Sequence, residues 1–217
     1  LYAQGKAKIG KVELEQTTNY HWDGKISIKV AKGSGKFAIK LRIPSWLKTS
    51  PTNNNLYAYA DAAKNYSISV NGHALYPENY DYFTITRSWK KGDVIELNFP
   101  MDVRRIVAND NAEDDRGKVA LERGPIVFCL EGSDQADGKV FNKYILNSAN
   151  ISAQYDANLL NGVMTPSGNA KELQQDGTVK DVKFRAIPYS TWNNRGAQQM
   201  EVWVANTPAK AVATPAE

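Results

Sequence analysis

The lone cysteine of the chain, Cys129, lies between two acids, Glu122 and Glu131, in the stretch GKVALERGPIVFCLEG at 117–132. A thiol attacks a substrate when a cation, a histidine or a helix N-terminus favours its thiolate. If IVFCLE is a strand, side-chain alternation puts Cys129 on the same face as Val127 and Glu131. The stretch is therefore either a nucleophile with an acid beside it or a packed strand that contains a thiol.

Histidines that could act as a base for this thiol are scarce. The chain has two, His21 and His73, and both lie in or beside predicted turns far from Cys129 in sequence. Free cysteine is also among the residue types most often buried in proteins. We therefore expect Cys129 to be a structural residue, and we assign no catalytic residue in this chain.

Carboxylates offer a second kind of chemistry. A glycosidase needs two carboxyl groups roughly 5 to 10 Å apart across the scissile bond. With 23 acidic residues among 217, some pair meets that distance by chance, so spacing identifies no such site. An acidic cluster could hold calcium, but it lacks the Asp-x-Asp-x-Asp-Gly pattern of a calcium loop. We therefore interpret it as a solvated turn and expect no metal site. Its members are Asp110, Glu113, Asp114 and Asp115.

Aromatic side chains are the remaining candidates, because an exposed ring gives a sugar an apolar platform. Trp46 and Trp89 are expected to cap the open ends of a β-sandwich core, and burial against a partner strand is expected for Trp203. Trp192 lies among polar residues in the stretch TWNNRG and is the best candidate for exposure. The carbohydrate-contact candidates are Trp192, Asn193, Asn194 and Arg195.

Composition indicates an ordinary globular protein and excludes several classes. Hydrophobic residues make up 42% and the net charge is +4, with basic residues scattered rather than clustered. This distribution predicts no nucleic-acid partner. No apolar stretch approaches the roughly 18 residues of a membrane helix, so no membrane partner is expected. A single cysteine excludes an internal disulfide and a multi-cysteine zinc site. Because the chain starts at Leu1 without a signal-peptide pattern, we expect a processed chain or a piece of a longer one.

Apolar residues alternate with polar ones at 26–30, 37–43, 68–70 and 83–85, which predicts strands with one buried face. Turn residues separate these runs, and Asn-Gly at 71–72 is the strongest hairpin signal. The second half continues with short apolar runs, and no segment keeps a helical apolar stripe for three turns.

The sequence therefore predicts an all-β protein with two antiparallel β-sandwich domains of jelly-roll-like form. We place the first sandwich at 1–105 and the second at 106–206, and we allow for 200–204 returning to pair with the first. Residues 158–178 are interpreted as a long loop or irregular hairpins, and 207–217 as a flexible C-terminal tail.

Several stretches together carry a family resemblance. They are NYHWDGKISIKV at 19–30, LRIPSWL at 41–47, ISVNG at 68–72, ITRSWKKGDVIELNFPMDVR at 85–104, DDRGKVALERGPIVFCLEG at 114–132, IPYSTWNNRG at 187–196 and MEVWV at 200–204. In this order they resemble the C-terminal region of glycoside hydrolase family 127, the β-L-arabinofuranosidase-like enzymes. The resemblance spans nearly the whole chain, and 133–180 is its divergent part.

The resemblance implies an upstream (α/α)6 barrel followed by β-sandwich domains. It also implies a cysteine nucleophile in a zinc site of three cysteines and a glutamate, all within that barrel. None of these residues can be carried over to this chain, so no cofactor is expected here and zinc is expected only in the barrel. The implied location is periplasmic or secreted.

Three functions stay open at this point. The first is a non-catalytic portion of a bacterial glycoside hydrolase, with the upstream barrel of the same polypeptide as its partner and a homodimer contact as a second candidate. The second is a carbohydrate-binding module whose exposed aromatics contact plant or glycoprotein glycans. The third is an autonomous enzyme with paired carboxylates, for which the sequence offers no motif.

Overall fold

The computed structural model describes residues 2–76 and 81–213. In chain order the strands are β1 (Gly5–Ile9), β2 (Val12–Thr18), β3 (Lys25–Lys32), β4 (Gly35–Arg42), β5 (Tyr57–Tyr59), β6 (Ser67–Val70), β7 (His73–Leu75), β8 (Tyr82–Trp89), β9 (Val94–Asn98), β10 (Val103–Ala108), β11 (Lys118–Arg123), β12 (Ile126–Glu131), β13 (Lys143–Tyr144), β14 (Ile151–Asp156), β15 (Val163–Leu173), β16 (Val179–Pro188), β17 (Met200–Glu201) and β18 (Val204–Ala205). Within the described ranges the helical segments are short 3-10 turns, at Ser45–Leu47, Gly132–Asp134, Tyr189–Thr191 and Pro208–Lys210. The predicted all-β class is therefore confirmed. No helix in this part of the chain is long and apolar enough to span a membrane.

The chain divides into two compact units. The first comprises Leu1–Lys48 with Ala63–Met101, and the second comprises Thr49–Ala62 with Asp102–Glu217. Each unit is built around its own sheets.

The first unit is a sandwich of a six-stranded sheet, ordered β1-β2-β3-β9-β6-β7, and the two-stranded sheet β4-β8. Alternate residues of β3, namely Ile26, Ile28 and Val30, are buried, as the period-two pattern predicts. They share one apolar core with residues of β4 and β8. Trp89 belongs to this core with 2% of its surface exposed, and its indole nitrogen donates to the Phe37 carbonyl at 3.0 Å. The core-capping role expected for Trp89 is confirmed.

The second unit has one ten-stranded sheet. Its pairings run β11-β12-β16-β15-β13-β18 and return to β11, so the ladder closes on itself around the core. All of these pairings are antiparallel except that between β13 and β18. β17 pairs with β12 and β18 with β11, so 200–204 belongs to this unit and does not return to the first sandwich.

Residues 158–178 differ from the sequence-based expectation. They contain all of β15, an eleven-residue strand that pairs with both β14 and β16. Residues 163–166 are buried on both faces, so apolar and polar positions do not alternate there. In the rest of the strand Ala170 is the one buried residue, and the period-two signal is absent for these two reasons.

Residues 49–62 also differ from the expected first domain, because the structure places them in the second unit. The three-residue strand β5 pairs with β10. Beyond it, the Asp61 carboxylate accepts hydrogen bonds from the Arg105 backbone N–H at 2.6 Å and from its guanidinium at 2.5 Å. So short a strand carries no periodic signal in the sequence.

The C-terminal segment is partly attached, contrary to the flexible tail expected at 207–217. Pro208–Lys210 forms a 3-10 turn, and the Val212 N–H donates to the Phe141 carbonyl at 2.8 Å. Residues 214–217 lie outside the described part of the chain.

Candidate functional site

Cys129 is packed inside the second unit. It lies opposite Ile187 across β12 and β16, and only 1% of its surface is exposed. Burial raises the pKa of the thiol to about 12, and the negative charges of Glu131 and Asp134 add to the rise. At neutral pH the side chain is therefore a protonated thiol enclosed by its neighbours, which is the environment of a structural cysteine rather than a nucleophile.

The two glutamates of the opening stretch have separate environments. Glu122 lies opposite Val127 and accepts a hydrogen bond from the Tyr59 hydroxyl at 3.0 Å. Burial raises the pKa of Glu122 to about 7. The Arg104 guanidinium lies 3.2 Å from the centre of the Tyr59 ring, which completes this cluster.

Glu131 is the anchor of a distant loop. Its side chain is fully buried, and it accepts a hydrogen bond from the Asn193 backbone N–H at 2.9 Å and an ion-pair contact from the Arg195 guanidinium. Arg195 also binds Asp134, whose side chain is 3% exposed, through both of its terminal nitrogens. The hydrogen bonds to Asp134 are the main cause that raises the pKa of Arg195 above its ordinary value. A charged guanidinium thus satisfies two buried carboxylates.

This anchor fixes the loop at 189–196, which carries the sequence-predicted carbohydrate contacts. Within the loop, the Asn194 side-chain amide donates to the Thr191 carbonyl at 2.9 Å. Trp192 is 38% exposed, and its ring lies nearly parallel to that of Tyr189, at 14° and 6.3 Å between centroids. Of the four candidates, Arg195 and the Asn193 backbone serve the anchor, and Trp192 presents its ring to solvent. Carbohydrate contact by this loop stays a prediction.

The acidic cluster lies around the turn before β11. The Asp115 carboxylate accepts a hydrogen bond from the Tyr57 hydroxyl at 2.9 Å, and the Tyr57 ring packs on Trp203 at 5.4 Å between centroids. Within 2–76 and 81–213, no three histidine, cysteine or acidic side chains are grouped so that they could hold a metal ion.

Comparison with known protein families identifies the family of this chain. The model described as the middle domain of glycoside hydrolase family 127 β-L-arabinofuranosidases matches residues 1–101, and the C-terminal domain of the same family matches 103–205. The chain belongs to glycoside hydrolase family 127. The family 127 resemblance drawn from the quoted stretches is thereby confirmed.

Relatives of known identity agree with this assignment. A non-reducing end β-L-arabinofuranosidase from Bifidobacterium longum subsp. longum is 27% identical over 212 residues, which cover 88% of this chain and 30% of that protein. A solved family 127 β-arabinofuranosidase superposes with a TM-score of 0.93 at 38% identity, covering 99% of this chain and 35% of the other. The β-L-arabinofuranosidase of Geobacillus stearothermophilus T6 gives 0.81 at 32% identity, covering 94% and 33%. The family 127 chain thus spans about a third of the length of these relatives.

Proposed function

We propose that this family 127 chain is the non-catalytic β-sandwich portion of a glycoside hydrolase, which supports a catalytic barrel of the same polypeptide. The observation that carries the proposal is the match to the middle and C-terminal domains, at 30% of the length of the Bifidobacterium enzyme. The buried Cys129 thiol supports it, because a thiol with a pKa of about 12 supplies almost no thiolate at neutral pH.

The supporting role is tested on the complete gene product. The full polypeptide and a truncation that ends before Leu1 are purified, and the truncation is assayed with and without the 217-residue chain added in trans. We expect the truncation alone to have a lower melting temperature or to aggregate, and the added chain to restore its stability. An upstream segment that is equally stable and active alone would overturn the supporting role, as would a gene that encodes no upstream helical domain.

A second candidate, a carbohydrate-binding module, is favoured by one observation. Trp192 and Tyr189 are both exposed, at 38% and 45%, and their rings are nearly parallel. The Arg195 anchor holds the loop that carries them, so the rings need little further ordering to contact a sugar. Affinity electrophoresis in gels containing arabinan tests this candidate. This candidate requires that the parent be retarded and that Trp192→Ala migrate freely, and equal migration of the two proteins would reject it.

A further inference from the structure

A polar groove lies on β14, β15 and β16 of the second unit. It consists of two adjoining depressions of about 540 and 390 Å3 that share Ser167 and Arg185. Cavities of a few hundred Å3 are of the size that holds small ligands. Two of its three strands, β14 and β15, lie in the divergent part of the chain, and no motif in the sequence points to this groove.

The strand register sets the floor of the groove. Ser152, Ser167 and Arg185 lie opposite one another across the three strands, so two hydroxyls and a planar guanidinium form one cross-strand row. The next residue of β15 is Gly168, where a Cβ would lie 2.5 Å from the Asn150 carbonyl oxygen and 3.1 Å from the Phe184 ring. Gly168 therefore allows β15 to lie close to Asn150 and Phe184.

Charges within the groove compensate one another. Its lining includes two carboxylates, Asp134 and Asp156, and two cations, Lys183 and Arg185. Arg185 forms an ion pair with Asp156, and Asp134 forms the ion pair with Arg195 described above. The Lys183 ammonium donates to the Asn169 side-chain oxygen, so these charged groups already have partners and a neutral ligand requires none of them to be released.

The remaining groups suit a ligand rich in hydroxyls. Side-chain hydroxyls and amides both donate and accept hydrogen bonds, as sugar hydroxyls do. Tyr155 lines one end of the groove and is 53% exposed, and aromatic rings pack on the apolar faces of sugars. Its hydroxyl lies against Gly162, where a Cβ would come within 2.1 Å of that oxygen. The contact with Gly162 limits the positions open to the ring.

We propose that this groove is a binding site for a neutral saccharide chain. The site goes beyond the supporting role of the chain and does not involve the Trp192 ring. Its test uses the 217-residue chain alone. The result therefore does not depend on whether the truncation experiment supports a role for this chain in stabilising the barrel.

The experiment is a titration of the isotopically labelled chain with arabinopentaose, followed by amide chemical shifts. We expect shifts confined to 150–156, 165–169 and 183–185. Ser167→Tyr fills the floor and should weaken binding at least about tenfold. Ser152→Ala combined with Ser167→Ala removes both hydroxyls without added bulk, and should weaken binding even if the tyrosine variant fails to fold.

Two controls fix the location. Lys180→Tyr adds the same ring to an exposed position of β16 outside the groove, and Trp192→Ala removes the ring of the other candidate site. Both should bind as the parent does. The proposal is overturned if arabinopentaose causes no shifts, if the serine variants bind as well as the parent, or if Trp192→Ala alone abolishes binding. Tighter binding of the anionic chain polygalacturonate would overturn the neutral ligand class.

Discussion

Cys129 is the residue on which the choice between enzyme and scaffold depends most directly. Its burial and its pKa of about 12 predict that a thiol reagent reaches it only after the second unit opens. With Ellman's reagent at pH 8 we expect negligible reaction in native buffer and one thiol per chain in denaturant. Stoichiometric reaction of the native protein within seconds would contradict the enclosed environment.

Glu122 predicts a dependence of stability on pH. Its pKa is raised from 4.5 to about 7 in the folded state. Between these pH values the folded protein binds more protons than the unfolded one. The contribution of Glu122 to stability is therefore complete below about pH 4.5 and is lost as the pH rises through 7. We expect the free energy of unfolding to fall by roughly 1–3 kcal/mol from this group.

Urea unfolding at pH 5 and pH 8 measures this effect. Glu122→Gln keeps an acceptor for the Tyr59 hydroxyl but cannot titrate, so its loss of stability between the two pH values should be smaller. Burial also raises the pKa of Glu201 to about 7. Because Glu201 still titrates in Glu122→Gln, the free energy of unfolding of this variant should still fall somewhat between pH 5 and pH 8. Identical slopes in the parent and in Glu122→Gln would show that Glu122 does not titrate in this window.

At the scale of elements, the anchor joins β12 to the loop at 189–196. Arg195→Met leaves the fully buried Glu131 carboxylate without its cation. Because an unpaired buried charge costs about 3–5 kcal/mol, we expect a loss of that order in urea unfolding and faster hydrogen exchange in the loop. Lys171→Met is the matched control, since its partner Asp181 is 81% exposed, and it should change stability by less than about 0.5 kcal/mol. Equal losses of stability in the two variants would show that the ion pair of Arg195 with Glu131 contributes no more than an exposed ion pair.

Elements with one buried face could be predicted from the sequence, and those without could not. β3 and β4 show alternate burial, and their apolar residues repeat every second position. β15 is buried on both faces at one end and has Ala170 as the one buried residue in the rest, and β5 is three residues long. These two strands are specified by their pairing partners rather than by their own pattern.

The candidate site was only partly predictable for a related reason. Trp192 could be named because it stands among polar residues. The contact of Arg195 with Glu131 joins residues 64 positions apart, and that of Arg105 with Asp61 joins residues 44 apart. Contacts between such distant residues depend on the closed ladder of the second unit, and a single sequence gives no sign of them. The sequence pattern offers Glu131 as a helper of Cys129, whereas in the structure it binds the loop at 189–196.

The chain consists of two β-sheet units, matches the middle and C-terminal domains of family 127, and covers about a third of the two solved relatives compared above. A sheet buries alternate side chains and exposes the rest, so it suits a support or a binding surface. In this scaffold the one thiol is enclosed, and the polar groove on β14, β15 and β16 is open. Both features agree with the supporting role proposed above.

The measurement that tests this account most directly is the hydrolysis of 4-nitrophenyl β-L-arabinofuranoside by the 217-residue chain alone. The Geobacillus enzyme serves as the positive control, and Cys129→Ala is assayed beside the parent. We predict no release of nitrophenol above the buffer blank for either form of the chain. Turnover by the parent at a rate near that of the control, and its loss in Cys129→Ala, would contradict the account.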